Sequence, residues 1–186
     1  ADEANALDPK SITQLQRLKF NELLKQINLD RNNEIKIHLA NSAGMLLNKD
    51  FHFHMVRVGL SMYGYSPLDK IDKNLSLKPA LFLKAKVAFI RTIDPGVGVS
   101  YGGKFVSHRK TNLAVLSIGY ADGVPRNLSG KIKVIHNDKL YPQVGSITMD
   151  QMMVDITGSS EIKVGSTMVL LGSDGDKTIS PLEWAR

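Results

Sequence analysis

The sequence predicts an α/β segment followed by an all-β module, with the change of character near residue 75. Two observations carry that reading. The first part follows the order helix, strand, helix, strand, the mark of a layer with parallel strands. After Lys73 no long helical pattern appears, and strand-like runs recur at short intervals between turn residues. The roughly 110 residues beyond the break suffice for a small barrel or sandwich with its own core. Two strands and one and a half helices, by contrast, can neither close a sheet nor cover both its faces. The first part therefore reads as a piece of a larger α/β domain.

Each element has a local justification. Phe20, Leu23, Leu24 and Ile27 fall at i, i+3, i+4 and i+7, and Ile12, Leu15 and Leu18 extend the stripe by a turn, which predicts an amphipathic helix over 11–27. Ser11 with Gln14 has the spacing of a capping box, and Asp8-Pro9 supplies the turn before it. A polar loop, Asp30-Arg31-Asn32-Asn33, leads to a short strand at 35–39, then Ala40-Asn41-Ser42 opens a brief helix through Leu47. A second apolar run at 55–60 is strand-like. In the module, strands are expected at 81–90, 112–118, 131–136, 152–156 and 167–171, punctuated by Asp94-Pro95-Gly96, Asp122-Gly123, Asn137-Asp138 and Ser173-Asp174-Gly175.

Composition narrows the function classes. The 186 residues are 42% hydrophobic and 23% charged, which excludes disorder as the main state. The longest apolar stretches, around 81–83 and 87–90, fall far short of the roughly 18 residues of a membrane helix. The opening Ala1-Asp2-Glu3-Ala4-Asn5 has neither the basic nor the apolar region of an export signal. Without cysteine there is no disulfide framework, thiolate zinc site or cysteine nucleophile. A cytoplasmic protein without a membrane span is expected. The net charge of +6 divides into +1 for residues 1–74 (10 Lys+Arg against 9 Asp+Glu) and +5 beyond (14 against 9). The excess is dispersed over Lys84, Lys86, Arg91, Lys131 and Lys133 without aromatic interleaving, so a solvated face is expected and no nucleic acid.

Several residues could carry chemistry. Asn41-Ser42 stands where a strand gives way to a helix, a place that suits a phosphate and equally an ordinary N-cap. Arg57 alternates with Val56 and Val58 in an apolar run, so it faces either an anion or a structural carboxylate, and Gly59 permits close approach of backbone to a ligand. His52 and His54 on one face of an extended segment could bind a metal, yet no third ligand is near, and no metal is expected. The segment Gly96 to Gly103 is glycine-rich but precedes no helix, so it reads as a loop presenting Tyr101. Tyr120, beside Asp122-Gly123, and Met149-Asp150-Gln151 stand at strand ends where hairpin turns are the ordinary reading.

Taken together, His38-Leu39-Ala40-Asn41-Ser42-Ala43, Val56-Arg57-Val58-Gly59 with Met62-Tyr63-Gly64, Val99-Ser100-Tyr101-Gly102, Ile118-Gly119-Tyr120-Ala121-Asp122-Gly123 with Pro125-Arg126, and Met149-Asp150-Gln151 resemble, in order and spacing, the motifs of alanine racemases. The resemblance covers essentially the whole chain, and Ala1-Asp2-Glu3 looks like the segment after the family's sixth barrel strand. It implies the C-terminal portion of a TIM (β/α)8 barrel over 1–74 and an all-β barrel-like domain over 75–186, with the N-terminal half of the barrel and the end of the β domain lying outside the sequence.

The implied activity is interconversion of L- and D-alanine on pyridoxal 5'-phosphate, supplying D-alanine for the cell wall, in a homodimer whose active sites are shared between subunits. Residue by residue, the resemblance puts Asn41, Ser42, Gly59 and Leu60 at the cofactor phosphate and Arg57 at the pyridine nitrogen. Tyr101 is then the catalytic tyrosine, serving the partner subunit's site, while Met149, Tyr120 and Asp150 belong to the substrate pocket and its approach. Ser146 and Thr148 stand where the family commonly shows Arg and Cys. The cofactor lysine belongs to the family's first barrel strand and has no match here, so this chain alone is expected to be inactive. The competing readings are a non-catalytic β module for binding or assembly, and a weak nucleic-acid binder.

Overall fold

The computed structural model describes residues 6–27, 35–68 and 76–185. The chain divides into two compact units, Ala1–Ala80 and Leu81–Arg186. The expected break near residue 75 and the polar loop at 30–33 lie outside the described residues.

In the first unit, α1 (Ile12–Ile27) starts with Ser11, whose Oγ accepts from the Gln14 N–H at 3.2 Å. Only half of the expected capping box forms. The Ser11 N–H is already donated to the Asp8 carbonyl at 2.9 Å, so the Gln14 amide turns instead to the Ala6 carbonyl at 3.4 Å. One side of the helix is drawn down by Phe20, edge-on to Phe53 with centroids 5.5 Å apart, and by Arg17, which pairs with Asp50 at 3.2 Å. No residue of α1 is buried.

The expected strands at 35–39 and 55–60 do lie parallel, but they meet in a single bridge, His38 to Met55. His54 N–H donates to Ile37 O at 3.0 Å and Arg57 N–H to Ala40 O at 2.9 Å. With no third strand beside them among the described residues, the pair stays short. Then α2 (Ser42–Leu47) follows Asn41, and a 3-10 turn, Leu60–Tyr63, follows Gly59. Gly64 (φ +85°) ends that turn, and a Cβ there would collide with the Lys78 carbonyl and the Pro79 nitrogen. Burial pushes the Tyr65 phenol up.

The second unit is a closed antiparallel barrel. Its strands are β1 (Leu83–Ile93), β2 (Gly98–Val99), β3 (Phe105–Val106), β4 (Thr111–Leu116), β5 (Lys133–His136), β6 (Lys139–Val144), β7 (Met152–Asp155), β8 (Thr167–Asp174) and β9 (Lys177–Ile179). The order β1-β4-β7-β6-β5-β8 closes because β1 pairs with β8 through its first residues and with β4 through its later ones. A bulge between Val87 and Phe89 lets the long strand bend between its two partners.

All five expected strands are present, and four were missed. Of these, β2 and β3 are two-residue strands flanking the Tyr101 loop, and β9 is the return of a hairpin. The fourth, β6, contains Pro142, which reads as a strand breaker but stands where the ladder with β5 ends and that with β7 begins. Between β5 and β6 the expected turn Asn137-Asp138 has φ of 47° and 60°, the two-residue hairpin with both central residues left-handed.

Inside the barrel Val87, Leu116, Val134, Ile147, Met152, Val154, Met168 and Leu170 form the main core. β8 is buried on both faces. Val169 and Leu171 pack outside the barrel with Ile135, Ile179 and Trp184, the last on α3 (Pro181–Trp184).

Candidate active site

The residues singled out in the sequence are split between the two units: Asn41 and Arg57 line a cleft in the first, with Ser42, Gly59 and Leu60 outside its lining, and Tyr101, Tyr120, Met149 and Asp150 line a cleft in the second. In the first unit, Asn41 is an N-cap whose Oδ1 accepts from the Gly44 N–H at 3.0 Å. Ser42 is buried and its Oγ accepts from Gly59 N–H at 2.9 Å and Ser61 N–H at 3.4 Å, tying α2 to the turn at Leu60. Gly59 is open enough for a Cβ, whose nearest neighbour would be Ser42 Oγ at 3.9 Å. Arg57 donates to the Leu39 carbonyl at 3.1 Å and has no carboxylate partner among the described residues. It shares with Asn41, Leu39, Gln16 and Phe51 the wall of a cleft of about 220 Å³ whose described lining contains no carboxylate.

Sequence reasoning passed over Ser61. Its N–H donates to Ser42 Oγ, and its buried hydroxyl finds no hydrogen-bond partner among the described residues. A serine between Leu60 and Met62 was the available signal. A buried hydroxyl without a partner is costly unless a ligand or water satisfies it.

The histidines do not share a face. Phe53 has φ 50°, so the segment turns; His52 Nε2 lies 2.8 Å from the Met45 carbonyl, and His54 Nδ1 accepts from the Ile37 N–H at 3.3 Å.

In the second unit the structure brings Tyr101, Tyr120, Met149 and Asp150 together. With Arg126, Ile147 and Thr148 they line an open cleft of about 520 Å³. The loop carrying Tyr120 is laid on the Met149 segment by backbone bonds, Tyr120 N–H to Thr148 O and Ala121 N–H to Met149 O, both 2.9 Å. Gly119 makes this possible, since a Cβ would strike the Thr148 and Met149 carbonyls. Asp122 accepts from the Gly119 N–H at 2.9 Å and closes the turn. The Arg126 guanidinium stands 6.0 Å from the centre of the Tyr120 ring, a contact the sequence did not single out. Tyr101, a residue 70% exposed, stands on a 3-10 turn, Tyr101–Gly103. Thr148 spends its hydroxyl on the Gln151 carbonyl at 2.9 Å.

The alanine racemase N-terminal domain model matches residues 1–67 and the alanine racemase C-terminal domain model residues 80–186. The chain belongs to the alanine racemase family. An alanine racemase of Prochlorococcus marinus is 51% identical over 183 residues, covering 98% of this chain and 47% of its own length. Among solved structures, the Bacillus anthracis alanine racemase with bound L-Ala-P has a TM-score of 0.79 at 35% identity, covering 97% of this chain and 47% of that one. The Bartonella henselae alanine racemase, solved with covalently bound pyridoxal phosphate, has a TM-score of 0.75 at 36% identity, covering 92% and 46%. The chain thus spans about half the length of the relatives it matches. Its fold is the C-terminal portion of a TIM barrel followed by a β-barrel domain, as expected from the sequence. Among the described residues no helix is long and apolar enough to cross a membrane.

Proposed function

We propose that the complete protein interconverts L- and D-alanine on pyridoxal 5'-phosphate, and that this chain supplies cofactor-holding residues from 1–74 and one acid–base group, Tyr101, from 75–186. The observation that carries this reading is the meeting of Tyr101, Tyr120, Met149 and Asp150 in one cleft. The first unit fits an anionic cofactor: among the described residues Arg57 has no carboxylate in its cleft, and the buried Ser61 hydroxyl has no hydrogen-bond partner. Asn41, Ser42, Gly59 and Leu60 would hold the phosphate. Arg57 would offer guanidinium N–H donors to the ring nitrogen.

When bound, the cofactor supplies a sink for the electrons left behind as the Cα proton departs. Racemisation takes that proton from one face and returns it to the other, so two groups are needed. Tyr101 serves the L-face, and the second role falls to the cofactor lysine of the family's first barrel strand. In this reading the enzyme is a cytoplasmic homodimer, Tyr101 completes the partner subunit's site, and the D-alanine feeds cell-wall synthesis.

Tyr101→Phe in the complete enzyme deletes only the phenolic oxygen. It is expected to slow Cα-proton exchange from L-alanine by at least ~10²-fold, with cofactor content unchanged. Exchange at the native rate would remove Tyr101 from the reaction.

A further inference from the structure

Tyr101 is held by its backbone, since most of its side chain is in solvent. The residue before it is strained: Ser100 has φ 64° and ψ −173°, a region that L side chains essentially leave to glycine and that persists only where the surroundings impose it. Two hydroxyls impose it. Ser100 Oγ donates to the Ser146 carbonyl at 2.7 Å, and Ser146 Oγ donates back to the Tyr101 carbonyl at 2.9 Å. Gly145 (φ +69°) lets the two segments close, because a Cβ there would stand 2.7 Å from the Val99 carbonyl.

The far side of this clasp is rigid. Ser146 is 2% exposed, and the buried Gln143 amide fixes the strand end before it by donating to the Val144 and Gly145 carbonyls at 2.9 and 3.0 Å. Three residues beyond Ser146 comes Met149, which lines the same cleft as Tyr101. The two hydroxyls therefore set the tyrosine loop against the segment that carries Met149 and Asp150.

We propose that Ser146 is a positioning residue for Tyr101, locking the strained Ser100 so that the phenol meets the substrate's Cα proton from a fixed distance. The inference rests on the reading of Tyr101 as the acid–base group. Displacing a reacting group by about 1 Å can cost as much as ~10²-fold in rate, which a single well-placed hydrogen bond can prevent.

The test uses the complete holoenzyme carrying Ser146→Ala, Ser100→Ala, Tyr101→Phe, and Ser146→Ala with Tyr101→Phe. Either serine variant should slow Cα-proton exchange from L-alanine about tenfold, with a smaller effect on D-alanine and no change in KM, cofactor content or melting of the barrel. Amide hydrogen exchange at Tyr101, Gly102 and Gly103 should quicken by a similar factor. On the Tyr101→Phe background, Ser146→Ala should add nothing. Native exchange from L-alanine in both serine variants, with Tyr101→Phe slow, overturns the clasp alone. Equal losses for both enantiomers together with lost cofactor would make Ser146 merely structural and overturn it too. A native rate in Tyr101→Phe overturns the base reading, and the positioning role falls with it.

Discussion

The two units treat their apolar side chains differently. In the barrel, Leu116, Met152, Met168 and Leu170 are fully buried within a sheet that closes on itself. In the first unit, no residue of α1 is fully buried, and Ile12, Leu23 and Ile27 stand 62%, 48% and 53% exposed. A closed antiparallel sheet satisfies its strand edges and its inner face from within. A βα repeat offers one sheet edge and one helix face to neighbours, and the family places those neighbours in the rest of the barrel. The contrast teaches that a domain boundary and a stability boundary need not bear the same relation to sequence length: some 100 residues suffice for one architecture and not for the other.

The largest expected difference is in local opening. In the 186-residue chain, amides of β4, β7 and β8 should exchange at least ~10³-fold more slowly than those of 35–39 and 55–58, as core strands open only with the whole barrel. Comparable protection in both units, read by hydrogen exchange and mass spectrometry, would break the comparison.

Truncation sharpens it. Leu116→Ala should destabilise the barrel by about 2–5 kcal/mol, while Leu23→Ala on the uncovered helix face should change the stability of this chain by less than about 0.5 kcal/mol. Trp184, the single tryptophan, packs on the barrel's outer cluster and reports its unfolding by fluorescence. A large loss from Leu23→Ala would mean that α1 is covered in solution.

The smallest effect is electrostatic and belongs to the barrel alone. Burial acts to raise the Asp155 pKa and is the largest single influence, but the Thr157 hydroxyl and N–H and the Arg109 guanidinium together outweigh it, so the carboxyl is held below its ordinary value. A depressed folded pKa adds stability above the unfolded value of about 3.9 and loses it as pH falls through the folded value. Asp155→Asn should therefore lower stability at neutral pH, with the gap to the native protein narrowing as pH falls below about 4. Arg109→Ala should cost under about 1 kcal/mol, since its guanidinium is mostly in solvent. A gap independent of pH would show that the Asn loses packing rather than charge.

Much of this was legible in the residues. Strand periodicity located β1, β4, β5, β7 and β8, and the motifs pointed to Tyr101, Tyr120, Met149 and Asp150. Periodicity needs four or more residues to register, so β2 and β3 escaped it, and Pro142 hid β6. The helix at Ile12–Ile27 was plain, and Ile12, Leu23 and Ile27 stand exposed, as expected of a piece too small to cover its own apolar faces. The reciprocal arm of the capping box failed because the Asp8 turn took the Ser11 N–H first, a competition that spacing does not reveal.

The sequence by itself determined what depends on near neighbours: the helix period, the strand alternation, the left-handed turn at Asn137-Asp138, and the motif residues. Tertiary structure alone decided the closure of β1 onto both β4 and β8, the meeting of Tyr101, Tyr120, Met149 and Asp150 in one cleft, and the clasp between Ser100 and Ser146. Its two hydrogen bonds span 46 and 45 residues of chain. Such contacts exist only after the barrel has closed, because the entropy of bringing distant segments together is offset by core burial and not by anything local to either serine.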